Sequence, residues 1–289
     1  MSKNVKQKLA AYAMVLPAFL VVLLSVAYPI VAAVFESFQD GETGAFTMAN
    51  YTYFFTDPAQ RSNLLYTLFV VFVTVAIAIV VAYLLALYLR FVKSKISKTI
   101  GMLYLLPRFV PAMCAVYAMI TIIRDTGLIN RIGQLFGLDI NLGMMYHASG
   151  IITMNLWFNI PFAAMMIAAG LGGIPDSIIE AAEDVGAGKL RTIFRIVLPS
   201  AVPGILAGVI LATGRIVGET AALIYTAGTV AQVPSNLLGS GRTLAVHMYV
   251  LASEGLYMNQ AYATAVILLI IVLLINWLSG RIAAKIAKN

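Results

Sequence analysis

The stretch LLYTLFVVFVTVAIAIVVAYLLALYL, residues 64–89, decides the fold class of this chain. It contains no Asp, Glu, Lys or Arg, and it is longer than the roughly 20 apolar residues that a helix needs to cross a bilayer core. Backbone groups in lipid must find their hydrogen bonds within the segment, so a continuous apolar run of this length folds as a helix. The sequence therefore predicts a transmembrane helix here.

The composition extends this conclusion to the whole chain of 289 residues, of which 61% are hydrophobic and 11% charged. Soluble domains carry about a quarter charged residues, because their surfaces face water. Cys114 has no partner cysteine, and the chain has only two histidines, which argues against a disulfide scaffold and against a metal site. We therefore expect an all-α, polytopic membrane protein.

The same criteria predict six transmembrane helices within one transmembrane domain of residues 1–289. The spans are expected at about 9–35, 64–89, 99–123, 148–173, 201–228 and 261–280. The first apolar run is far longer than the 7–15-residue core of a signal peptide, so we expect it to stay as a membrane anchor.

The distribution of basic residues predicts the orientation of these spans. Thirteen of the 19 Lys and Arg residues fall in the two termini and in the loops after spans two and four, against four in the other loops. The positive-inside rule then places both termini in the cytoplasm. The net charge of +7 follows from this topology, so it indicates contact with membrane lipid and no nucleic-acid partner.

The loop at residues 174–199 has a helical pattern, with Ile178, Ile179, Ala182 and Val185 on one face. Gly186 and Gly188 permit a sharp turn, after which a second short helix is expected from Lys189 to Leu198. One interpretation is an amphipathic connector on the membrane surface. The acidic residues Glu180, Glu183 and Asp184 argue against it, because anionic headgroups would repel them.

A family resemblance is carried by this loop. The loop resembles the EAA loop of ABC-type import permeases. The matching residues are Glu180, Ala181 and Ala182, then Gly186, then Ile196, Leu198 and Pro199. The resemblance implies the type I importer permease fold, with the loop docked on a dimer of ATP-binding subunits that carries ATP and Mg. The sequence contains no G-x-x-x-x-G-K-[ST] phosphate loop, so we expect a transport subunit that is not itself an enzyme and binds no cofactor.

Three ionisable residues, Arg108, Arg215 and Glu219, fall within the predicted spans. Such residues are costly in lipid and are functional candidates by default. Arg215 and Glu219 are four residues apart, which fits either a structural ion pair or an anion site in which Arg215 binds oxygens and Glu219 orients it. Two arginines against one glutamate favour a small anion over a polyamine or a metal cation.

A second resemblance concerns the substrate. Three segments of the chain resemble the A-type permease of bacterial phosphate ABC importers. They are residues 213–221 (TGRIVGETA), 242–247 (RTLAVH) and 253–255 (SEG). This implies inward transport of inorganic phosphate by alternating access past Arg215 and Glu219, in a bacterial or archaeal cytoplasmic membrane. It also implies a similar but distinct second permease subunit and an extracytoplasmic phosphate-binding protein.

The first half of the chain resembles more general permeases for sugars, polyamines and other oxyanions, notably at residues 157–161 (WFNIP). Asn159 either lines the pathway at a helix break or packs at a kink. Another oxyanion or an organophosphonate is thus the next candidate substrate, and a polyamine follows. A membrane hydrolase is disfavoured because no catalytic spacing accompanies His147 or His247. A passive channel would not need the EAA loop.

Overall fold

A computed structural model describes residues 3–227, 239 and 241–286. Within these residues the chain is nearly all helical, and the predicted all-α class is confirmed. The described part contains six helical segments that are long and apolar enough to span a membrane: Tyr12–Ser37, Pro58–Phe91, Ala112–Leu135, Ala148–Gly172, Lys189–Gly218 and Met258–Ile282. The chain termini, for which a cytoplasmic location is predicted, lie outside the described residues.

The chain divides into two compact units. The first unit comprises Met1–Asp57 and Met248–Ile267. Its helices before residue 58 are α1 (Lys3–Val22), a π-helical turn (Leu23–Ala27), α2 (Tyr28–Ser37) and α3 (Ala49–Thr56). Between α2 and α3, the backbone N–H of Thr43 donates a hydrogen bond to the carboxylate of Asp40. This hydrogen bond is the largest of the causes that lower the pKa of Asp40.

The second unit comprises Pro58–His247 and Leu268–Asn289. Up to residue 227 its helices are α4 (Pro58–Phe91), α5 (Lys95–Leu103), a 3-10 turn (Leu106–Arg108), α6 (Ala112–Ile123), α7 (Leu128–Leu135), α8 (Ala148–Gly172), α9 (Asp176–Asp184), α10 (Lys189–Thr192), a π-helical turn (Ile193–Val197), α11 (Leu198–Gly218) and α12 (Ala221–Ala227). The remaining helices, α13 (Leu244–Ser253) and α14 (Met258–Ile286), contribute residues to both units. Whether residues 1–289 form one domain stays a prediction.

The core of the second unit is the contact of α4, α8 and α11. Small residues allow the helices to approach closely. A Cβ added at Gly208 on α11 would lie 3.6 Å from the Cα of Ala163 on α8. On α4 the buried Ala78, Ala82 and Ala86 follow each other at intervals of four residues on one face. Close backbone approach through small residues is how helices associate in membranes, where burial of apolar surface gives no driving force.

The third span differs from its prediction at residues 99–123. Helix α5 ends at Leu103, a 3-10 turn follows, and α6 begins only at Ala112. Pro107 and Pro111 explain the break, because proline lacks the N–H that a helix needs and restricts the residue before it. The apolar segment of spanning length is Ala112–Leu135, so Arg108 lies in the segment before it.

The fifth span also differs from its prediction. The short helix expected at 189–198 is present as α10 and the π-helical turn, but it is not separate from the span, because one helical run extends from Lys189 to Gly218. In that turn the N–H of Leu198 donates to the carbonyl of Ile193, five residues earlier. This π-helical hydrogen bond replaces the usual α-helical spacing and keeps the helix continuous up to Pro199. The run ends at Gly218, and residue 228 of the predicted span lies outside the described residues.

Candidate functional site

Arg108 and Arg215 lie against the same aromatic ring. The guanidinium carbon of Arg108 is 4.7 Å from the centroid of Phe162, and that of Arg215 is 5.9 Å from it. Both distances are within the range of a cation–π contact. Three elements meet here: the 3-10 turn supplies Arg108, the last turn of α11 supplies Arg215, and α8 supplies Phe162 directly after Pro161.

The two arginines carry like charges, and neither has a carboxylate partner among the described residues. Both side chains are exposed and Phe162 is half-buried, and no ion pair joins either arginine to an acidic side chain in the described part of the chain. Two guanidinium groups near one ring repel each other, and a bound anion would reverse that repulsion. Guanidinium groups also match the geometry of tetrahedral oxyanions through paired N–H donors.

Glu219 does not pair with Arg215 in the described structure. Helix α11 ends at Gly218, and the backbone of Glu219 is extended, with φ −71° and ψ 118°. Its Oε1 instead accepts a hydrogen bond of 2.9 Å from the N–H of Ala222 in the first turn of α12. A carboxylate is favourable at this position because the first N–H groups of a helix lack partners within the helix.

Asn159 lies inside a continuous helix and not at a break, because α8 runs unbroken from Ala148 through Pro161 to Gly172. The side chain is 2% exposed, and its Nδ2 donates to the carbonyl of Asn155 at 2.8 Å. The Oδ1 of Asn159 and the Oγ1 of Thr213 are both buried without a hydrogen-bond partner among the described residues. The role of Asn159 in the pathway stays a prediction.

The sharp turn expected at Gly186 is present at the end of α9. Gly186 has φ +78°, its N–H donates to the carbonyl of Glu183 at 2.8 Å, and the N–H of Ala187 donates to that of Ala182 at 2.9 Å. These two bonds form a Schellman motif, in which glycine adopts the left-handed conformation that closes a helix. The turn places α10 beside α9.

The helices α9 and α10 form a surface that we call the coupling surface. It surrounds a groove of about 520 Å³ lined by apolar and basic side chains, among them Ile178, Ala182, Val185, Arg191, Arg195 and Ile196. Val185 is 84% exposed, and Glu180 and Ala181 are exposed on the same helix. Exposed apolar side chains beside charged ones are typical of a protein-binding surface. Leu198 and Pro199 begin α11.

Sequence reasoning identified both arginines but missed Phe162. A phenylalanine in an apolar span normally packs or faces lipid, and nothing in its neighbourhood distinguished it from the 13 others in the chain. The signal was Pro161 directly before it, since a proline inside an apolar run draws attention to the adjacent turn. The arginines themselves are 53 or 54 positions away from Phe162 in sequence, so only the fold brings the three together.

A family match identifies the class of protein, which is a permease subunit of an ABC importer. Residues 78–288 match the family model described as "Binding-protein-dependent transport system inner membrane component". The chain therefore belongs to that family and is a multi-pass membrane protein. Its members are the membrane permease subunits, which are not themselves enzymes and work with ATPase subunits and a substrate-binding protein.

Several curated proteins are similar to the chain. The probable ABC transporter permease protein YqgI of Bacillus subtilis is 30% identical over 46% of this chain and 52% of its own. The spermidine/putrescine permease protein PotB of Escherichia coli is 28% identical over 57% and 60%. The molybdenum transport system permease protein ModB of Haemophilus influenzae is 28% identical over 74% and 89%. The chain thus spans about half of YqgI and 60% of that PotB.

A solved structure shows the fold directly. A chain of the crystal structure of a bacterial ABC transporter involved in the import of the acidic polysaccharide alginate superimposes with a TM-score of 0.79. The match covers 98% of both chains at 20% sequence identity. The predicted ABC importer permease fold is therefore confirmed.

Proposed function

We propose that this permease subunit passes inorganic phosphate inward across a bacterial or archaeal cytoplasmic membrane. The observation that carries the proposal is the convergence of Arg108 and Arg215 on Phe162, where the described part of the chain provides no carboxylate ion pair for either arginine. In alternating access, an anion that enters from outside exchanges its water for the N–H donors of these arginines. It leaves when the helices that carry the arginines move apart.

The positive charge of Arg108 and Arg215 favours some of the substrates for which the relatives are named over others. PotB is named for spermidine and putrescine, which are cations that two uncompensated arginines would repel. ModB is named for molybdenum transport, and molybdate is a tetrahedral oxyanion like phosphate. We therefore place phosphate first, another oxyanion or an organophosphonate second, and a polyamine third.

The partners follow from the same proposal. The coupling surface docks on one subunit of an ATPase dimer, which binds ATP and Mg, and its closure moves α9 and α10. The residues that we assign to this docking are Glu180, Ala181, Ala182, Gly186, Ile196, Leu198 and Pro199. A second, similar permease completes the pathway, and an extracytoplasmic phosphate-binding protein delivers the substrate. Both termini of the present chain lie in the cytoplasm.

Uptake of radiolabelled phosphate into vesicles that contain the assembled importer tests the proposal. Arg108→Gln and Arg215→Gln remove one charge each and should both abolish uptake at matched amounts of assembled complex. Arg215→Lys should also be impaired, because an ammonium keeps the charge but lacks the planar fork that binds two oxygens. Arg131→Gln is the matched control, since this arginine of α7 is exposed and makes no cation–π contact with Phe162 in the described part of the chain. Normal uptake in both pathway variants would refute the assignment.

A further inference from the structure

Arg90 joins the end of α4 to the beginning of α9. Its Nη2 donates to the carbonyl oxygen of Ile174 at 3.0 Å, and the same atom forms an ion pair with Asp176. The Arg90 side chain is 27% exposed and that of Asp176 is 62% exposed. The guanidinium is therefore largely enclosed by protein, while the carboxylate that it binds stays in contact with solvent.

The covalent connection from α8 to α9 contains two glycines, followed by Ile174, which is buried in one cluster with residues of α4 and α8. Gly172 and Gly173 end α8, and a Cβ added at Gly172 would meet nothing within 4 Å. Pro175 precedes α9, and no side chain caps the N-terminus of this helix. Glycine leaves the backbone free to turn, so a contact beyond the two glycines is needed to hold α9 in place.

Close packing does not supply this contact along the rest of the helix. A cavity of about 380 Å³ lies between the end of α4 and the helices of the coupling surface, lined among others by Leu87, Tyr88, Phe91, Ile179 and Glu183. Side chains across a gap lose most of their attraction for each other. A movement of α9 therefore reaches α4 through Arg90 rather than through the walls of the cavity.

We infer that Arg90 is a positioning residue that transmits the movement of α9 to α4, through Ile174 and Asp176. This inference rests on the proposed coupling function of α9. A charged donor makes the hydrogen bond to the carbonyl strong and directional, whereas an ion pair whose carboxylate stays in contact with solvent contributes little to folding. Replacement of Arg90 should thus loosen the mechanical connection without unfolding the protein.

The test is the number of substrate molecules transported per ATP hydrolysed by the complete importer in proteoliposomes. Arg90→Gln should lower this ratio, by about tenfold if the connection carries most of the coupling, while complex assembly and basal ATP hydrolysis stay unchanged. Asp176→Asn keeps an oxygen acceptor for Arg90 and should lower the ratio less. Lys93→Gln is the matched control, because it removes one positive charge from an exposed position just after α4.

Three outcomes of this measurement would contradict the role of Arg90 or of the coupling surface. An unchanged ratio in Arg90→Gln, with loss of coupling in Gly186→Val, would overturn the role of Arg90 and leave the coupling surface intact. Unchanged ratios in both variants would overturn the coupling surface itself. A fall in thermal stability and in assembled complex, with an unchanged ratio in the complex that remains, would show that Arg90 is only structural and would also contradict the inference.

Discussion

Gly170 of α8 and Gly204 of α11 meet backbone to backbone. A Cβ added at Gly170 would lie 3.2 Å from the Cα of Gly204, and one added at Gly204 would lie 2.7 Å from the carbonyl oxygen of Met166. The contact of 3.2 Å would be tighter than nine in ten real Cβ contacts, and real Cβ atoms are essentially never found as close as 2.7 Å; backbone cannot turn aside as a flexible side chain can. This contact therefore sets the distance between two helices, one carrying Phe162 and the other Arg215.

The first prediction is that Gly204→Ala destabilises the permease although alanine favours helices. The added methyl must push α8 and α11 apart, at a cost of about 1–3 kcal/mol. Gly214→Ala is the control on the same helix, where the added Cβ meets nothing within 4 Å, and it should be neutral or slightly stabilising. Thermal unfolding of the purified protein measures both, and equal midpoints would contradict the close contact.

The second prediction concerns the turn between α9 and α10. Gly186→Val forces a β-branched residue into a left-handed conformation, which costs about 1–2 kcal/mol, and should reduce the stimulation of ATP hydrolysis by the binding protein. Gly188→Val should have little effect, because Gly188 has φ −67° and both sites are open to an added Cβ. If the two variants behave alike, the conformation of Gly186 is not what couples the turn to the ATPase.

The third prediction separates a helix cap from an ion pair at Glu219. Loss of the hydrogen bond to Ala222 in Glu219→Leu should cost about 0.5–2 kcal/mol, whereas Glu219→Gln keeps an oxygen acceptor and should cost less. In a double-mutant cycle with Arg215→Leu the two stability changes should add. A double variant that is markedly more stable than the sum of the single changes would instead indicate an ion pair with Arg215.

The fourth prediction concerns Phe162. Phe162→Leu keeps an apolar side chain but removes the ring that both guanidinium groups contact, a loss of about 0.5–2 kcal/mol. Half-saturation of phosphate uptake should then require more phosphate, because the arginines lose their common position. Phe158→Leu is the control one turn earlier on α8, where the ring packs on Trp157. Equal effects of the two changes would show that Phe162 is ordinary packing.

Local patterns were sufficient to predict most of the helices. The uncharged run at residues 64–89 falls within α4, and the glycine spacing of the loop predicted the turn at Gly186. Pro107 and Pro111 on either side of Arg108 indicate a broken helix, but the bounds 99–123 ran across the break before Ala112 because hydropathy measures composition and the run stays apolar. The continuous helix through Pro199 was missed because a π-helical turn has no simple sequence signature.

Long-range contacts were the part that the sequence could not predict. Arg90 was interpreted only as a cytoplasmic loop charge, although its partners stand 84 and 86 positions later. Glu219 was placed on one helical face with Arg215, either as its ion-pair partner or as the group that orients it, an argument that fails once α11 ends at Gly218. Both errors have one cause, since periodicity describes a helix but not where it stops or what it meets.

The anion pathway at Arg108 and Arg215 is tested most directly by measuring the uptake of labelled phosphate and of labelled spermidine in parallel. Both measurements use the same preparation of the importer, reconstituted with its own binding protein. We expect ATP-dependent phosphate uptake that Arg215→Gln abolishes, and no spermidine uptake in either protein. ATP-dependent spermidine uptake without phosphate uptake would contradict an anion pathway at Arg108 and Arg215.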